Sequence, residues 1–204
     1  MHWKEFLKDK RNRVEVLITV ILLSIVLTSL TNFLNFVEAR KGAVLPDPIL
    51  NLFNPIDLTW LTFALIYGSI VVAVATLSKN PKQLMFAIQL YTLMVIVRIA
   101  AMFLLPLEPP VAMIALNDPL VEFFGTGQTL TKDLFFSGHT ATLFILFLVS
   151  ENKIIKSVFL ISTIVVAISV ILQHVHYSID VFAAVFFTYA CYKLILKFKI
   201  HYSL

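Results

Sequence analysis

A chain of 204 residues that is 59% hydrophobic and only 14% charged cannot hide its apolar surface in one soluble core, so most of that surface must face lipid. The formal net charge of +4 is small, and its placement gives no sign of a nucleic-acid partner. Cys191 is the single cysteine, which excludes an intrachain disulfide and any multi-cysteine metal site.

In chain order, the sequence predicts an all-α membrane protein with six transmembrane helices at about 15–37, 58–78, 84–105, 135–151, 156–173 and 178–197, in a single domain over 1–204. Each approaches the ~17–25 residues that cross ~30 Å of hydrocarbon, the fourth and fifth runs being the shortest. The N-terminus has a basic stretch before an apolar one, as a signal peptide does. The run from Val16 to Val37 is too long for that and has no small-residue cleavage site, so it reads as a retained first span. The prolines at 46, 48, 55, 81, 106, 109, 110 and 119 all fall outside the six runs. Uninterrupted spanning helices require this, because lipid cannot replace a lost backbone hydrogen bond. The connection 106–136, with Pro109-Pro110 and Gly125-Thr126-Gly127, is long for a small helical membrane protein. It reads either as a cover for a site or as a plain surface loop.

Charge placement sets the expected orientation. With the N-terminus inside, Lys4, Lys8, Lys10, Arg11, Arg13, Lys79, Lys82, Lys153, Lys156, Lys193, Lys197 and Lys199 are cytoplasmic, against Arg40, Lys41 and Lys132 outside. Both termini then lie in the cytoplasm. Glu38, Asp47, Asp57, Glu108, Asp118, Glu122, Asp133 and Asp180 fall outside or at the outer boundary. The compact length, without organelle-sorting features, points to a bacterial cytoplasmic membrane with the site facing its outer side.

Chemistry gathers at that outer level. His139, His174 and His176 map there, whereas His2 and His201 are at the cytoplasmic ends. The fourth span carries the chain about 24 Å inward from His139 and the fifth brings it back, so His176 returns to the level of His139. Asp180 follows His176 by four residues, on the same helical face. A carboxylate on one ring nitrogen fixes the tautomer and makes the other a better nucleophile or base. The alternative is an ordinary interfacial His–Asp pair. Arg98 lies eight residues before Pro106 within the third span, where its planar fork suits phosphate oxygens. Otherwise Asp57 or another protein carboxylate neutralises it, or it snorkels to headgroups. Ser137-Gly138-His139-Thr140 opens the fourth span, where free N–H groups and a positive dipole end form a phosphate cradle. Ser137 and Thr140 also read as a helix cap and a back-bonded hydroxyl. The histidines and Asp180 are metal-ligand types as well, but no H-E-x-x-H or clustered carboxylates accompany them, which favours a metal-independent reaction without a cofactor.

These residues resemble the sphingomyelin synthase-like branch of the type 2 phosphatidic acid phosphatase superfamily. Asp133-Leu-Phe-Phe-Ser137-Gly-His-Thr140 fits the branch's D-x-x-x-S-G-H-T, and His174-Val-His176-Tyr-Ser-Ile-Asp180-Val181 fits its H-x-H-Y-[ST]-x-D-V. Arg98-Ile99 with Leu105-Pro106 looks like its third span and exit, and Leu45-Pro46-Asp47 like a segment after the first span. The wider superfamily has an arginine six residues before the second motif histidine, where this chain has Val170. The Cys-Gly pair of the animal synthases is Thr131-Lys132 here, and the long cytoplasmic N-terminal domain of some relatives is missing.

The resemblance implies a lipid phospho-headgroup transferase. His176, oriented by Asp180, would attack phosphorus. His139 would protonate the departing alkoxide and then deprotonate the acceptor. Arg98, Ser137 and Gly138 would hold the phosphate oxygens, with Asp133, His174 and Thr140 as supporting partners. The implied substrates are a glycerophospholipid donor and a ceramide or diacylglycerol-type lipid. A lipid phosphate phosphatase or phospholipase C-type hydrolase would share the chemistry with water as acceptor, and a non-catalytic transporter or lipid-binding protein is the reading from another class. Headgroup, acceptor and oligomeric state are not encoded in these motifs.

Overall fold

The computed structural model describes residues 2–117 and 130–202, with side chains as far as 198. Gly125-Thr126-Gly127, Asp118 and Glu122 lie outside the described residues, so the central part of the 106–136 connection does too. The regular elements are α1 (Trp3–Phe6), α2 (Lys10–Ala39), a 3-10 turn (Leu50–Leu52), α3 (Thr59–Leu77), α4 (Pro81–Leu104), α5 (Gly138–Val149), α6 (Lys153–Leu172) and α7 (Ser178–Tyr202). Among the described residues the extended backbone amounts to one isolated parallel bridge, Ala43 with Leu107.

Five helices, α2, α3, α4, α6 and α7, are long and apolar enough to cross a membrane. Their outward faces carry exposed Leu17, Val71, Ile161 and Phe186, a hydrocarbon belt that water would penalise and lipid does not. The helix starts follow the local chemistry. Asp9 caps α2 through the Arg11 N–H, and Asn152 caps α6 through the N–H groups of Ile154 and Ile155. Pro81 occupies the first turn of α4 and so lies inside the third helix, where its missing N–H costs nothing.

The expected fourth span, 135–151, is corrected to the 12 residues of α5. At ~1.5 Å per residue that is about 18 Å, too short to cross ~30 Å of hydrocarbon unaided. The reason is its location. α5 packs against α3, α4, α6 and α7, and six of its residues, Thr140, Ala141, Leu143, Ile145, Leu146 and Val149, are buried. The irregular backbone before it, at Leu134, Phe136 and Ser137, is buried in protein rather than lipid, which is where a membrane protein tolerates it. Gln83 on α4 donates to the Val149 carbonyl at 2.7 Å and so satisfies the end of the short helix.

Around this central helix, α2 leans on α4 and α3 on α6, while α5 and α6 form an antiparallel hairpin through the short turn at 150–152. The core runs through Leu90, Met94, Ala141, Leu143, Phe159, Val166 and Ala184. At one end of the bundle the connections are tied together. Gly42 is pressed so close to Leu107 that a Cβ there would lie 2.5 Å from the Leu107 carbonyl carbon. The parallel bridge at Ala43 forms because position 42 has no side chain.

Candidate active site

Arg98 is buried, with 4% of its surface exposed. Its Nε donates to the Phe136 carbonyl at 2.7 Å, and Nη2 donates to Asp133 Oδ1 at 2.5 Å. The neutralising carboxylate is therefore Asp133. Asp57 instead accepts from the Thr59 N–H at the start of α3, a bond that holds its carboxyl below the usual carboxylate range. The guanidinium also lies against Gly138, where a Cβ would stand 3.1 Å from Arg98 Cζ. Glycine thus lets a cation approach the N-terminus of α5, and the two positive ends point to one place.

Ser137 begins α5 as its N-cap, with Oγ accepting from the Thr140 N–H at 3.4 Å. The Ser137 N–H donates to the Asp180 carbonyl at 3.2 Å, which fixes the start of α5 against the start of α7. Thr142, rather than Thr140, is the back-bonded hydroxyl, donating to the Gly138 carbonyl at 2.8 Å. Thr140 is buried at the same helix end.

The two motif histidines meet. The rings of His139 and His176 are 6.5 Å apart between centroids at 63°, and Phe63 stands edge-on to His139 at 6.3 Å. His176 Nδ1 lies 3.2 Å from Asp180 Oδ2, which also accepts from the Tyr177 N–H at 3.1 Å. Both members of the pair are almost without exposure, 2% and 0%. Removal from solvent strengthens the coupling of imidazole to carboxylate and holds the ring with Nε2 directed away from Asp180.

The way His176 reaches this level differs from the expected traverse of two similar spans, because α5 is short and α6 has 20 residues. The chain folds back after α6. The N–H groups of Val175 and His176 both donate to the Val170 carbonyl, and His174 takes φ 57° at the reversal. A left-handed backbone at a non-glycine residue is uncommon and marks a conformation imposed by its surroundings. Val170, the position of the missing arginine, contributes a carbonyl to this turn and a buried side chain to the core.

His174 is not drawn into the cluster. It packs edge-on to Phe53 at 5.3 Å between centroids and lines a loop cavity of about 580 Å³, with Asp47, Asn51 and Tyr177. Neither His139, His176 nor Arg98 lines that cavity. Among the described residues no three His, Cys, Asp or Glu side chains gather as a metal-ion ligand group.

Four residues outside the expected site set organise its surroundings. Gln173, fully buried, donates to Thr59 Oγ1 and the Ile114 carbonyl and accepts from the Leu58 N–H. Tyr177 donates to the Glu108 carbonyl and accepts from the Leu45 N–H. Asp47 accepts from Ser178 N–H at 2.6 Å and from those of Ile49 and Leu50. Burial alone would raise its carboxyl, but these bonds outweigh it and hold the group below the ordinary value. Glu38 accepts from the N–H groups of Thr131 and Lys132 and from the Thr131 hydroxyl, anchoring the chain just before Asp133. Gln173, Tyr177 and Glu38 share one sequence signal, hydrogen-bonding side chains at the ends of apolar runs, whereas Asp47 lies within the connection 38–57.

Residues 132–198 match the family described as PAP2 superfamily, C-terminal. This match supports the PAP2 superfamily. It covers α5, α6 and most of α7, and with them Asp133, Ser137, Gly138, His139, His176 and Asp180, whereas Arg98 precedes it. PAP2 superfamily members are generally phosphatases or phosphotransferases, which supports an enzyme acting on phosphate esters in a membrane setting. The match does not single out the sphingomyelin synthase-like branch. No curated protein matches the chain.

Proposed function

We propose that the chain is an integral-membrane enzyme that moves a phospho-headgroup between lipid hydroxyls through a histidine intermediate. The observation that carries this reading is the convergence of His139 and His176, 6.5 Å apart, with Asp180 on the far nitrogen of His176. Arg98 and the α5 N-terminus supply positive charge at the same end of the bundle.

In the proposed reaction, His176 donates Nδ1–H to Asp180 and attacks the phosphodiester phosphorus with its Nε2 lone pair. The P–N bond forms as the P–O bond to the donor's lipid alcohol breaks, and His139, as imidazolium, gives that oxygen its proton. In the second half, His139 accepts the proton of an incoming hydroxyl, whose oxygen takes the phospho-headgroup from His176. Charge that builds on the equatorial oxygens is met by Arg98, by the Ser137 hydroxyl and by the Gly138 N–H. Asp133 holds Arg98 until a phosphate competes for its fork. A glycerophospholipid donor and a ceramide or diacylglycerol-type acceptor fit this scheme, with the site on the outer side of the membrane.

The test is incubation of purified full-length protein with headgroup-labelled phospholipids, with and without ceramide or diacylglycerol. A labelled new lipid that appears only with acceptor supports transfer. Free phospho-alcohol or inorganic phosphate made without acceptor replaces transfer by hydrolysis on the same residues. His176→Ala is expected to abolish turnover while the protein remains monodisperse, and full activity in that variant would overturn the covalent scheme.

A further inference from the structure

A second cavity lies inside the bundle, away from the loop cavity. It is a groove of about 220 Å³ whose exposed wall is hydrocarbon throughout. α2 contributes Leu23 and Leu27, and α3 contributes Val74 and Leu77. α4 and α5 form its floor, with Ala87, Tyr91, Thr142 and Ile145. α2 rests on α4 and α3 on α5 and α6, but α2 and α3 are not a packed pair, so the groove lies in the gap between them.

The groove ends one to two helical turns short of the candidate active site, on the same two helices that carry Arg98 and Gly138. Thr142 lies one turn from Gly138 on the same face of α5, and Gly138 touches Arg98. On α4, Tyr91 is seven residues from Arg98, two turns along the same face. The hydroxyl of Thr142 is taken up by the Gly138 carbonyl, which leaves its methyl side for the groove. Polarity thus changes within about 6–10 Å, from a guanidinium and a helix N-terminus to bare hydrocarbon. A molecule complementary to both has an anionic phosphate at one end and a hydrocarbon chain at the other.

Other occupants fit less well. A polar ligand would find no partner on the walls and would lose its hydration uncompensated. The volume is below the ~300–1,000 Å³ of pockets that enclose whole drug-sized ligands, so the groove suits part of a lipid and not all of one. We propose that the groove between α2 and α3 holds an acyl chain of the lipid whose phosphate is handled at Arg98 and Gly138, so that the enzyme selects substrates by hydrocarbon length. This rests on the phosphoryl-transfer reading of the site for the identity of the head, but not for the identity of the tail.

The test compares hexadecylphosphonate with butylphosphonate as inert probes bound to the full-length protein in one detergent. Variants are measured in the same micelles, so that partition of the probe cancels. Val74 lines the groove yet is 60% exposed, so Val74→Trp obstructs the mouth without disturbing the core. Val71, 68% exposed on the same helix and outside the groove, gives the control Val71→Trp. Val74→Trp is expected to weaken hexadecylphosphonate about tenfold through lost methylene contacts and to leave butylphosphonate unchanged, with Val71→Trp silent for both. Ala73→Phe, from within the groove, should act in the same direction. The proposal is overturned if both groove variants bind the long probe as the wild type does, or if Val71→Trp weakens it equally. A protein that turns over phospholipid while the groove variants are silent retains the active-site reading and loses this one. Groove-dependent binding without turnover of any phospholipid does the reverse.

Discussion

Asp180 holds two neighbours with one oxygen, the imidazole of His176 and the N–H of Tyr177, so its charge and its shape are separable by substitution. In Asp180→Asn the amide oxygen still accepts from Tyr177, and the fold at the start of α7 should persist. The negative charge that stabilises an imidazolium at His176 is gone, and the ring is free to take the wrong tautomer. Turnover should fall by about 10²–10⁴, with little change in melting temperature. His139→Gln should show a distinct signature. A lipid with a good leaving alcohol needs no proton from His139, so its first step should survive better than that of a natural phospholipid, measurable as burst amplitude in single-turnover experiments. Arg98→Lys keeps the charge but loses the fork that binds Phe136 and Asp133 together, so it should lose most activity. The site was legible in the sequence to the extent that its members lie in two short motifs. Asp133 as the partner of Arg98 was not, because the two are 35 positions apart and only the path of the connecting segment brings them together.

At the scale of elements, the span positions read well because lipid imposes a length and a polarity on each helix that touches it. α5 read poorly for the same reason reversed. Enclosed by four neighbours, it is apolar without having to span, and composition cannot distinguish a core helix from a lipid-facing one. The fold-back at Val170–His176 was equally invisible, since nothing in the residue types signals a φ of 57° at His174. Connections at the site end carry their own vulnerabilities. A Cβ at Gly42 would lie 2.5 Å from Leu107 carbon and 2.7 Å from its oxygen, both backbone atoms that cannot rotate away. Gly42→Ala should therefore separate the two segments at the Ala43–Leu107 bridge and lower the melting temperature, through a destabilisation typical of overpacking, about 1–3 kcal/mol. Asp47 ties another connection to the start of α7 through Ser178. Its carboxyl, held below the unfolded value of 3.8, contributes stability that is fully present above that value. The contribution is lost as pH falls through the lower folded value. Melting curves taken from about pH 5 down to pH 2 should show the wild type losing more stability than Asp47→Asn, which has no such proton to bind.

For the whole molecule, the distribution of cations gives a direct expectation of which way the site faces. The structure puts Arg98, His139 and His176 at the end of the bundle where α5 and α7 begin, and the α5–α6 turn at 150–152 at the other. Lys79, Lys82, Lys153 and Lys156 all belong to that second end, flanking the α3–α4 and α5–α6 turns. At the site end Lys132 is engaged with Glu108 at 3.0 Å, and Arg40 donates to the carbonyls of Met102 and Phe103 that close α4. Lys132 and Arg40 are occupied in structure, which leaves Lys41 at the site end against Lys79, Lys82, Lys153 and Lys156 at the other, so the site should face away from the cytoplasm. The single cysteine makes this testable with little disturbance. Cys191 is buried, and Cys191→Ser gives a thiol-free background. New cysteines at exposed Asn51, in the loops near the site, and at exposed Glu151, in the α5–α6 turn, then report on the two ends. In intact cells an impermeant maleimide is expected to label position 51 and spare position 151, with the pattern reversed in inverted vesicles. The opposite pattern would place the site at the cytoplasmic face and overturn the expected orientation.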